Sequence, residues 1–522
     1  MIKKLIIFIS FIFFGCRAPS FDIIINNGKI ANGSGGELFI KNIYIRDGKI
    51  IEIGNIPNAI GNKVLNAREL IIAPGFIDMH THAERRSLEF PSVENYLQQG
   101  VTTMIGGNCG GSPFPISDFI KKTEKKGIGP NLALLIGHNT VRKEVMGTEN
   151  RLATNKEINE MQNLIQGAMN EGVFGMSTGL KYIPGAYSNT EEVIALASIV
   201  SKNSGIYATH MREEGIGLLK SVKEAIDIGR KANLPVQISH HKAVGKTMWG
   251  NSIKTLELIE KANAEGIKVT ADQYPYTATS TGLTVVFPAW SLSGGLEKLK
   301  ERLDDSKLRQ KIKDKIIWNI VYDRGGGDPA SIVVANYPKN NKYNGLNLAQ
   351  ITELKGQLPS PDNAAEVLMD LIYEGNGKGI YHCLNEEDVQ RIMAHPKIMH
   401  ASDGSTIEFG KAQPHPRSYG TYPRVLGKYV REKNVITLTE SIRKMTKLPA
   451  SVLGIKDRGQ IRKGFWADLV IFDQSKIIDN ATWKNPHQYP SGISWVLVNG
   501  KISINNGKYT DSLSGKILKH SL

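Results

Sequence analysis

Near both ends of the chain, apolar residues occur at every second position or in short runs. An Asp-Gly dipeptide at Asp47 and an Asn-Gly dipeptide at Asn499 each separate two such runs. A period of two is typical of β-strands, and these dipeptides favour tight hairpin turns. The pattern therefore predicts one small β-sandwich domain that is built from residues 21–73 and 456–522 together.

The long middle of the chain alternates between helical and strand-like patterns. One helix is predicted to begin after Thr154, which has capping-box spacing with Glu157. Its apolar stripe follows the helical repeat and consists of Ile158, Met161, Leu164, Ile165, Ala168 and Met169. Short apolar runs follow this helix and later ones, which indicates βα units around a parallel sheet.

Eight such runs can be counted as strands. They are the segments GFIDMH, VTTMIGG, LALLIGH, VFGMST, GIYATH, VQISH, IKVTADQY and KIMHASD. Four of them are closed, about 32 residues apart, by Ser177, His210, His240 and Asp272. Eight strands are the number of a closed (β/α)8 barrel, whose active site lies at the carboxyl ends of the strands. We therefore predict a TIM-like α/β barrel over residues 74–455, with a doubly wound open sheet as the structural alternative.

One connection in this barrel is much longer than the others. About 130 residues separate Asp272 from Asp403, whereas ordinary connections between strands and helices are far shorter. We predict that residues 285–390, approximately, form an inserted subdomain that acts as a lid over the strand ends.

The first 20 residues differ from the rest in composition. Lys3 and Lys4 precede a run of ten residues that are apolar except for Ser10, and Gly15 and Cys16 follow this run. This run is too short to span a bilayer and fits an export signal. A small residue before a cysteine resembles the lipobox of bacterial lipoproteins. We therefore expect lipidation of Cys16 and a periplasmic or outer-surface protein whose membrane contact is this anchor, with a plain signal peptide as the alternative.

The formal net charge of the chain is +15, which raises the question of nucleic-acid binding. The lysines are scattered over solvated helix faces, and no basic patch is interleaved with aromatic residues as in nucleic-acid-binding surfaces. We therefore expect no nucleic-acid partner. No feature of the sequence specifies an oligomeric state.

Polar side chains suited to a metal follow several of the predicted strands. His80 and His82 are two residues apart, so on an extended segment their imidazoles point the same way. His210, His240 and Asp403 follow three further strands. In a barrel these side chains meet at one rim, and zinc accepts nitrogen, sulfur and oxygen donors of this kind.

Cys109 lies in the segment NCGGS after the second strand, so we expect it to face the same rim. The flanking glycines let the backbone approach closely there. Its thiolate could bridge two metal ions or bind one, whereas the alternative is an inert thiol at a tight turn. Apart from Cys16, the only other cysteine is Cys383, and two cysteines make a poor disulfide framework. We expect Cys383 to be inert.

The segment GMSTG offers a competing chemistry. Ser177 stands there as in the nucleophile-elbow motif of serine hydrolases, and Asp403 and His415 could complete a triad. This alternative leaves four histidines at the strand ends without a role.

Longer segments resemble the D-aminoacylase, or N-acyl-D-amino-acid deacylase, family of the amidohydrolase superfamily. They run from about residue 22 to 510 and include APGFIDMHTHAE, GVTTMIGGNCGGSPFP, YATHMREEG, QISHHK, DQYPYTA, HASDGS, HPRSYGTYPR and GQIRKGFWADLVIFD. The resemblance implies a metal-bearing (β/α)8 barrel with a small β domain and one or two Zn2+ ions. It also implies hydrolysis of N-acyl-D-amino acids, or of dipeptides that contain D-amino acids, by metal-activated water.

The resemblance further implies roles for individual residues. Asp403 is the expected general acid and base. The expected zinc ligands are His80, His82, Cys109, His210 and His240, with His241 as the neighbouring alternative to His240. The residues expected to hold the substrate carboxylate are Lys242, Tyr274, Ser280 and Arg417. Competing functions are a cyclic-amide hydrolase of the dihydroorotase or hydantoinase type and a non-catalytic lipoprotein that binds a ligand.

Overall fold

The computed structural model describes residues 19–520. The predicted lipidation site Cys16 and nearly all of the predicted export segment lie outside these residues. Within them, no helix is both long enough and apolar enough to cross a membrane. The described chain consists of a barrel, a two-sheet domain and a subdomain inserted into the barrel.

Eight parallel strands form the barrel. Their bounds are Phe76–Asp78, Val101–Gly106, Asn131–Leu134 continued by Ile136–Gly137, Gly175–Gly179, Ile206–His210, Val236–Ile238, Val269–Gln273 and Ile398–His400. The last strand returns to the first, because Thr81 pairs with Gly404 and the Asp403 amide donates a 2.8 Å hydrogen bond to the His80 carbonyl. The barrel prediction is therefore confirmed, and the open-sheet alternative is wrong.

Helices surround the barrel and pack their apolar faces against its strands. They are Glu84–Ser87, Glu94–Leu97, Ile116–Lys126, His138–Met146, Asn155–Asn170, Thr190–Lys202, Leu218–Ala232, Ser252–Ala264, Glu386–Ala394, Arg417–Arg424 continued by the π-helical Val425–Glu432, Leu438–Met445 and Lys447–Leu453. The predicted helix after Thr154 is present, and Thr154 and Glu157 form the predicted capping box. Its stripe residues Met161 and Ile165 are buried in the core.

Strands from both ends of the chain form the two-sheet domain. The first sheet has the order Lys49–Gly54, Asn42–Arg46, Ser20–Asn26 and Ile60–Asn66. The second has the order Lys508–Tyr509, Lys501–Asn505, Ile493–Val498, Leu469–Phe472, Ile71–Pro74, Lys29–Ile30 and Phe39–Ile40. Buried aliphatic residues of both sheets, such as Ile25 and Ile471, share one core. This is the predicted β-sandwich.

The two dipeptides that the sequence places between strand-like runs both lie at hairpin turns. Asp47 and Gly48 have φ values of 53° and 76°, and Asn499 and Gly500 have φ values of 51° and 76°. Two successive left-handed residues are what a two-residue type I′ turn requires.

The subdomain between the seventh and eighth barrel strands has a core of its own. Its antiparallel sheet has the order Thr279–Gly282, Lys378–Tyr381 and Ile332–Asn336. Its helices are Leu296–Asp304, Ser306–Tyr322, Leu348–Leu354 and Pro361–Glu374. The sheet begins before residue 285, and helix Glu386–Ala394 packs on the barrel. The subdomain is therefore displaced toward the N-terminus from the bounds of about 285–390 that connection length alone suggests.

Candidate active site

Cys109 sits on a tight turn directly after the second barrel strand. It has a left-handed φ of 53°, and Gly107 and Gly110 beside it have φ values of 79° and 75°. A Cβ added at Gly110 would lie 2.0 Å from Asn139 Oδ1, so only glycine fits against this neighbour. The turn thus passes close to the adjoining strand ends and aims the cysteine sulfur across the rim.

The sulfur of Cys109 stands among three imidazoles. Cys109 Sγ lies 3.3 Å from His80 Nε2, 3.4 Å from His240 Nε2 and 3.7 Å from His210 Nδ1. The nitrogens His210 Nδ1 and His240 Nε2 are 2.8 Å apart. Burial by itself would raise the pKa of the thiol, but the three histidines hold this pKa well below its usual range. The environment therefore favours the thiolate, which is the form that binds metals.

The carboxylate of Asp403 lies beside a second pair of imidazoles. Asp403 Oδ1 is 3.5 Å from His80 Nε2 and 3.2 Å from His82 Nε2. On its other side, Arg417 Nη1 lies 2.8 Å from Asp403 Oδ2. Burial by itself would raise the pKa of Asp403, but this guanidinium and the neighbouring histidines hold it well below its usual range. The carboxylate is therefore ionised.

The donor set suits zinc in chemistry and in spacing. Zinc binds imidazole nitrogen at about 2.0–2.1 Å and thiolate sulfur at about 2.3 Å with tetrahedral angles, so its donors lie roughly 3.3–3.7 Å from one another. The nitrogen-to-sulfur distances above fall in this range, whereas the 2.8 Å between His210 Nδ1 and His240 Nε2 is shorter. Three overlapping groups have all their donor atoms within 4.8 Å of one another: His80, Cys109 and His240; His80, His82 and Asp403; and His210, Glu214 and His240.

Three of these side chains come from backbone positions in the left-handed region. Cys109, His240 and Asp403 have φ values of 53°, 36° and 49°. Residues other than glycine reach this region at an energetic cost, and such conformations persist where the surrounding structure enforces them. Here the constraint comes from the bond between the Asp403 amide and the His80 carbonyl, and from a 2.8 Å bond from the His240 amide to Asp272 Oδ1.

Two buried carboxylates lie behind the histidines. Asp272 Oδ1 is 3.6 Å from His80 Nδ1. Glu214 lies 3.1 Å from His240 Nδ1 and 3.5 Å from His210 Nε2. A carboxylate on the far nitrogen of a histidine fixes the orientation and tautomer of the ring, as it does around metal ions.

The donor atoms open into a cavity of about 320 Å³ that the inserted subdomain helps to enclose. The four residues predicted to hold a substrate carboxylate all line it: Lys242, Tyr274, Ser280 and Arg417. Arg417 Nη2 donates a 3.2 Å hydrogen bond to the Ser280 carbonyl, and its guanidinium lies 4.6 Å from the centre of the Tyr274 ring. Within residues 19–520, the buried Tyr274 hydroxyl has no hydrogen-bond partner. The wall can thus offer positive charge to an anion.

His241 and Cys383 lie away from the cluster. His241 Nε2 is 2.8 Å from Thr255 Oγ1, and burial lowers the pKa of this histidine to about 4. Of the two neighbouring histidines, His240 is the one whose imidazole stands in the cluster. Cys383 is buried in the inserted subdomain, and burial raises the pKa of its thiol to about 12, which disfavours the reactive thiolate.

The residues of the serine-hydrolase alternative do not meet. Ser177 donates to the Gly107 carbonyl and accepts a 3.0 Å hydrogen bond from the Gly110 amide. His415 Nε2 donates to the Ala278 carbonyl at 3.0 Å. Ser177 therefore holds the turn that carries Cys109, and the GMSTG motif has a structural role.

Several groups in and behind the cavity wall are not among the site residues predicted from the sequence. Glu214 lies four residues after His210 in the segment HMREEG, and that spacing could have suggested it. Asp272 is predicted only as the end of a strand, although an acid beside strand-end histidines is itself a signal. Arg324 and Lys378 belong to the inserted subdomain, whose fold no local pattern reveals.

Comparisons with known sequences show similarity along nearly the whole chain. Residues 71–321 and 363–504 match two models that are both described as the amidohydrolase family. A D-aminoacylase from Alcaligenes xylosoxydans xylosoxydans is 33% identical over 95% of this chain and 97% of its own length. An N-acyl-D-glutamate deacylase from the same organism is 31% identical over 92% of this chain and 93% of its own length.

Solved structures agree with these sequences. A crystal structure of D-aminoacylase superposes with a TM-score of 0.82 at 31% identity, covering 96% of this chain and 100% of that chain. An N-acyl-D-glutamate deacylase from Bordetella bronchiseptica, complexed with zinc and a phosphonate inhibitor that mimics the tetrahedral intermediate, has a TM-score of 0.82 at 30% identity with the same coverage. A D-hydantoinase shares the fold, with a TM-score of 0.57 at 14% identity over 96% of this chain and 99% of that chain.

Proposed function

Because the chain belongs to the D-aminoacylase family of amidohydrolases, we propose that it uses zinc to hydrolyse the amide bond of N-acyl-D-amino acids or of dipeptides that contain D-amino acids. One observation carries this proposal: four histidine nitrogens, the Cys109 sulfur and an Asp403 oxygen converge at one rim of the barrel. The distances between the Cys109 sulfur and the histidine nitrogens suit zinc, and the adjoining cavity has groups for an anionic substrate.

The residues that would hold the metal fall into two neighbouring groups, so the site has donors for one ion or two. When bound, zinc supplies a water whose pKa is lowered to about 7 and polarises the substrate carbonyl. The first group comprises Cys109, His210 and His240, and the second comprises His80, His82 and Asp403.

In this proposal Asp403 moves the protons of the reaction. Its Oδ1, which faces His80 and His82, takes a proton from the attacking water, and the carboxyl group then donates this proton to the leaving nitrogen. An amine is a poor leaving group, so the C–N bond breaks only when the nitrogen is protonated. Arg417 keeps the carboxylate ionised before the water is deprotonated.

The rest of the cavity wall orients the substrate. The product amino acid carries a carboxylate. Lys242, Arg417 and Tyr274 line the wall that would receive it, and the two cations also keep their ion pairs with Glu214 and Asp403. Charge-assisted hydrogen bonds at this position fix how the substrate lies in the cavity. They therefore decide which enantiomer presents its amide to the metal.

Removal and return of the metal test the proposal. Chelation is expected to abolish hydrolysis of N-acetyl-D-amino acids, and addition of zinc is expected to restore it. A panel of N-acetyl-D- and N-acetyl-L-amino acids with D-containing dipeptides gives the matched comparison, because the enantiomers differ only in handedness at one centre. Full activity of the metal-free protein, or equal hydrolysis of the L-isomers, would contradict the proposal.

The cyclic-amide hydrolase alternative has only distant support. The D-hydantoinase structure shares the fold at 14% identity, and a shared fold does not specify a reaction. A cyclic imide assayed beside the N-acetyl-D-amino acids separates the two, and preferential opening of the ring would favour the alternative.

We also propose that the protein is exported and anchored by a lipid on Cys16, since a short apolar run followed by Gly15 and Cys16 has the composition of a lipoprotein signal. Mass spectrometry of the mature N-terminus is expected to find a lipid-modified cysteine as the first residue. Substitution of Cys16 by alanine should release the protein from the membrane fraction. A mature N-terminus elsewhere, without lipid, would leave a plain signal peptide instead.

A further inference from the structure

Cationic side chains outnumber carboxylates around the cavity. The cations are Arg85, Lys242, Arg324, Lys378 and Arg417, and the carboxylates are Glu214 and Asp403. Ion pairs with the two carboxylates occupy three of the cations, namely Lys242, Arg324 and Arg417. The two remaining cations, Arg85 and Lys378, pair with neither of these carboxylates, so the cavity wall carries excess positive charge.

Lys378 makes no ion pair within the part of the chain that the structure describes. It begins the central strand of the inserted sheet, opposite Gly282, and its side chain is exposed and lines the cavity. The surrounding protein, and then the positive charges of Arg85, Arg417 and Arg86, lower the pKa of Lys378. Cations held this close repel one another, and a bound anion would relieve the repulsion.

Arg85 is the second of these cations, and its ion pair with Glu84 is a long one. Its side chain is half exposed, and the distance from Arg85 Nε to Glu84 Oε1 is 3.8 Å, which is too long for a hydrogen bond. Both Arg85 and Lys378 line a side pocket of about 230 Å³ that opens beside Asp403. This pocket has room for a short chain that ends in an anionic group.

On the basis of the function proposed above, we propose that the preferred substrates are N-acyl-D-amino acids whose side chain ends in a carboxylate, and that Lys378 and Arg85 bind this second carboxylate. The relatives do not decide this point, because proteins named for D-glutamate and for D-amino acids in general are similarly identical to the chain. The inference comes from the charges of this cavity.

The position of the side pocket assigns the second charge to the amino-acid side chain rather than to the acyl group. Ser280 and Arg417 line both the main cavity and the side pocket. An α-carboxylate held by them brings the α-carbon, and hence the side chain, next to Lys378. The acyl carbonyl must lie at the metal-binding groups for hydrolysis, so the acyl chain starts from a different point.

Hydrolysis of matched substrates by the zinc-loaded full-length protein tests this inference. N-acetyl-D-glutamate is expected to have a kcat/KM at least about tenfold above that of its neutral isostere, N-acetyl-D-glutamine, as for a close charge pair. Lys378→Met should reduce this preference about tenfold. Arg85→Met, on a different element, should reduce it in the same direction, so the inference does not depend on one variant.

Two controls distinguish the alternatives. Lys315→Met removes one positive charge from the wall of a neighbouring cavity and should leave the ratio of the two kcat/KM values unchanged. If Lys315→Met changes this ratio as much as Lys378→Met does, the preference comes from the overall electrostatic field and not from direct contact, and the inference is wrong. N-succinyl-D-leucine carries its extra charge on the acyl group, and a preference for it over N-acetyl-D-glutamate would overturn the assignment to the side chain.

The remaining outcomes separate this inference from the proposed function. If N-acetyl-D-glutamine or N-acetyl-D-leucine is hydrolysed as well as N-acetyl-D-glutamate, the inference is wrong and the proposed function stands. If the zinc-loaded protein hydrolyses none of these D-amino-acid derivatives, the proposed function fails and the inference fails with it.

Discussion

Replacement of Asp403 by asparagine is expected to lower kcat by roughly a thousandfold or more, within the range that general acid–base catalysis contributes. The amide retains an oxygen toward His80 and His82 but cannot accept the proton of the attacking water. It also cannot deliver a proton to the leaving nitrogen. Both proton transfers are lost together, so the effect should fall on kcat, with a smaller effect on KM. Steady-state kinetics on an N-acetyl-D-amino acid measure it.

The zinc content of the same variant shows whether Asp403 acts as a proton carrier or mainly as a ligand. The group formed by Cys109, His210 and His240 does not include Asp403, so at least one zinc ion should remain. Asp305→Asn is a suitable control, because Asp305 is exposed at the start of a helix of the inserted subdomain and asparagine caps equally well. Loss of all zinc together with activity would contradict the role proposed for Asp403.

The barrel and the metal-binding set could be predicted because both follow from local rules. Alternating strand and helix patterns give eight strands, and a closed barrel brings the ends of all eight to one rim. Residues as far apart in sequence as His80 and Asp403 therefore meet without any long-range information. The turn at Cys109 could also be anticipated, because glycines are required where the backbone passes this close to its neighbours.

The substrate side of the cavity could not be predicted in the same way. Lys378 reaches the cavity through a strand that pairs with Thr279–Gly282, about a hundred residues earlier in the chain. Such pairing depends on the tertiary fold of the inserted subdomain, and its register leaves no periodic signal in the sequence. The same holds for Arg324, which pairs with Glu214 of the barrel. Charges contributed by an insertion become visible only when the fold is known.

The contrast between these two sets has a physical basis. The donors at the rim are held by barrel strands, by short turns and by backbone bonds such as that from Asp403 to His80. The cations around the substrate come largely from other elements, including the sheet of the inserted subdomain and the short helix that carries Arg85. The barrel can thus keep its hydrolytic chemistry while the insertion changes which side chain is accepted.

Replacement of Cys109 by alanine is expected to weaken zinc binding at least about a hundredfold and to lower activity in proportion. Mutation of a group that only hydrogen-bonds to a metal ligand already lowers metal affinity about ten- to hundredfold. Cys109 itself lies within 3.7 Å of His80, His210 and His240. Its loss should therefore affect both groups of donors. Competition with a chromophoric chelator measures the affinity, and added zinc should recover part of the activity.

Cys383→Ala is the matched control, since it removes the other described thiol, which is buried and has a raised pKa. In the cobalt-substituted protein, a thiolate ligand gives a sulfur-to-metal charge-transfer band, which should persist in Cys383→Ala and disappear in Cys109→Ala. Unchanged zinc affinity in Cys109→Ala would contradict the proposed centre, because the three imidazoles around the sulfur would then bind the ion without it.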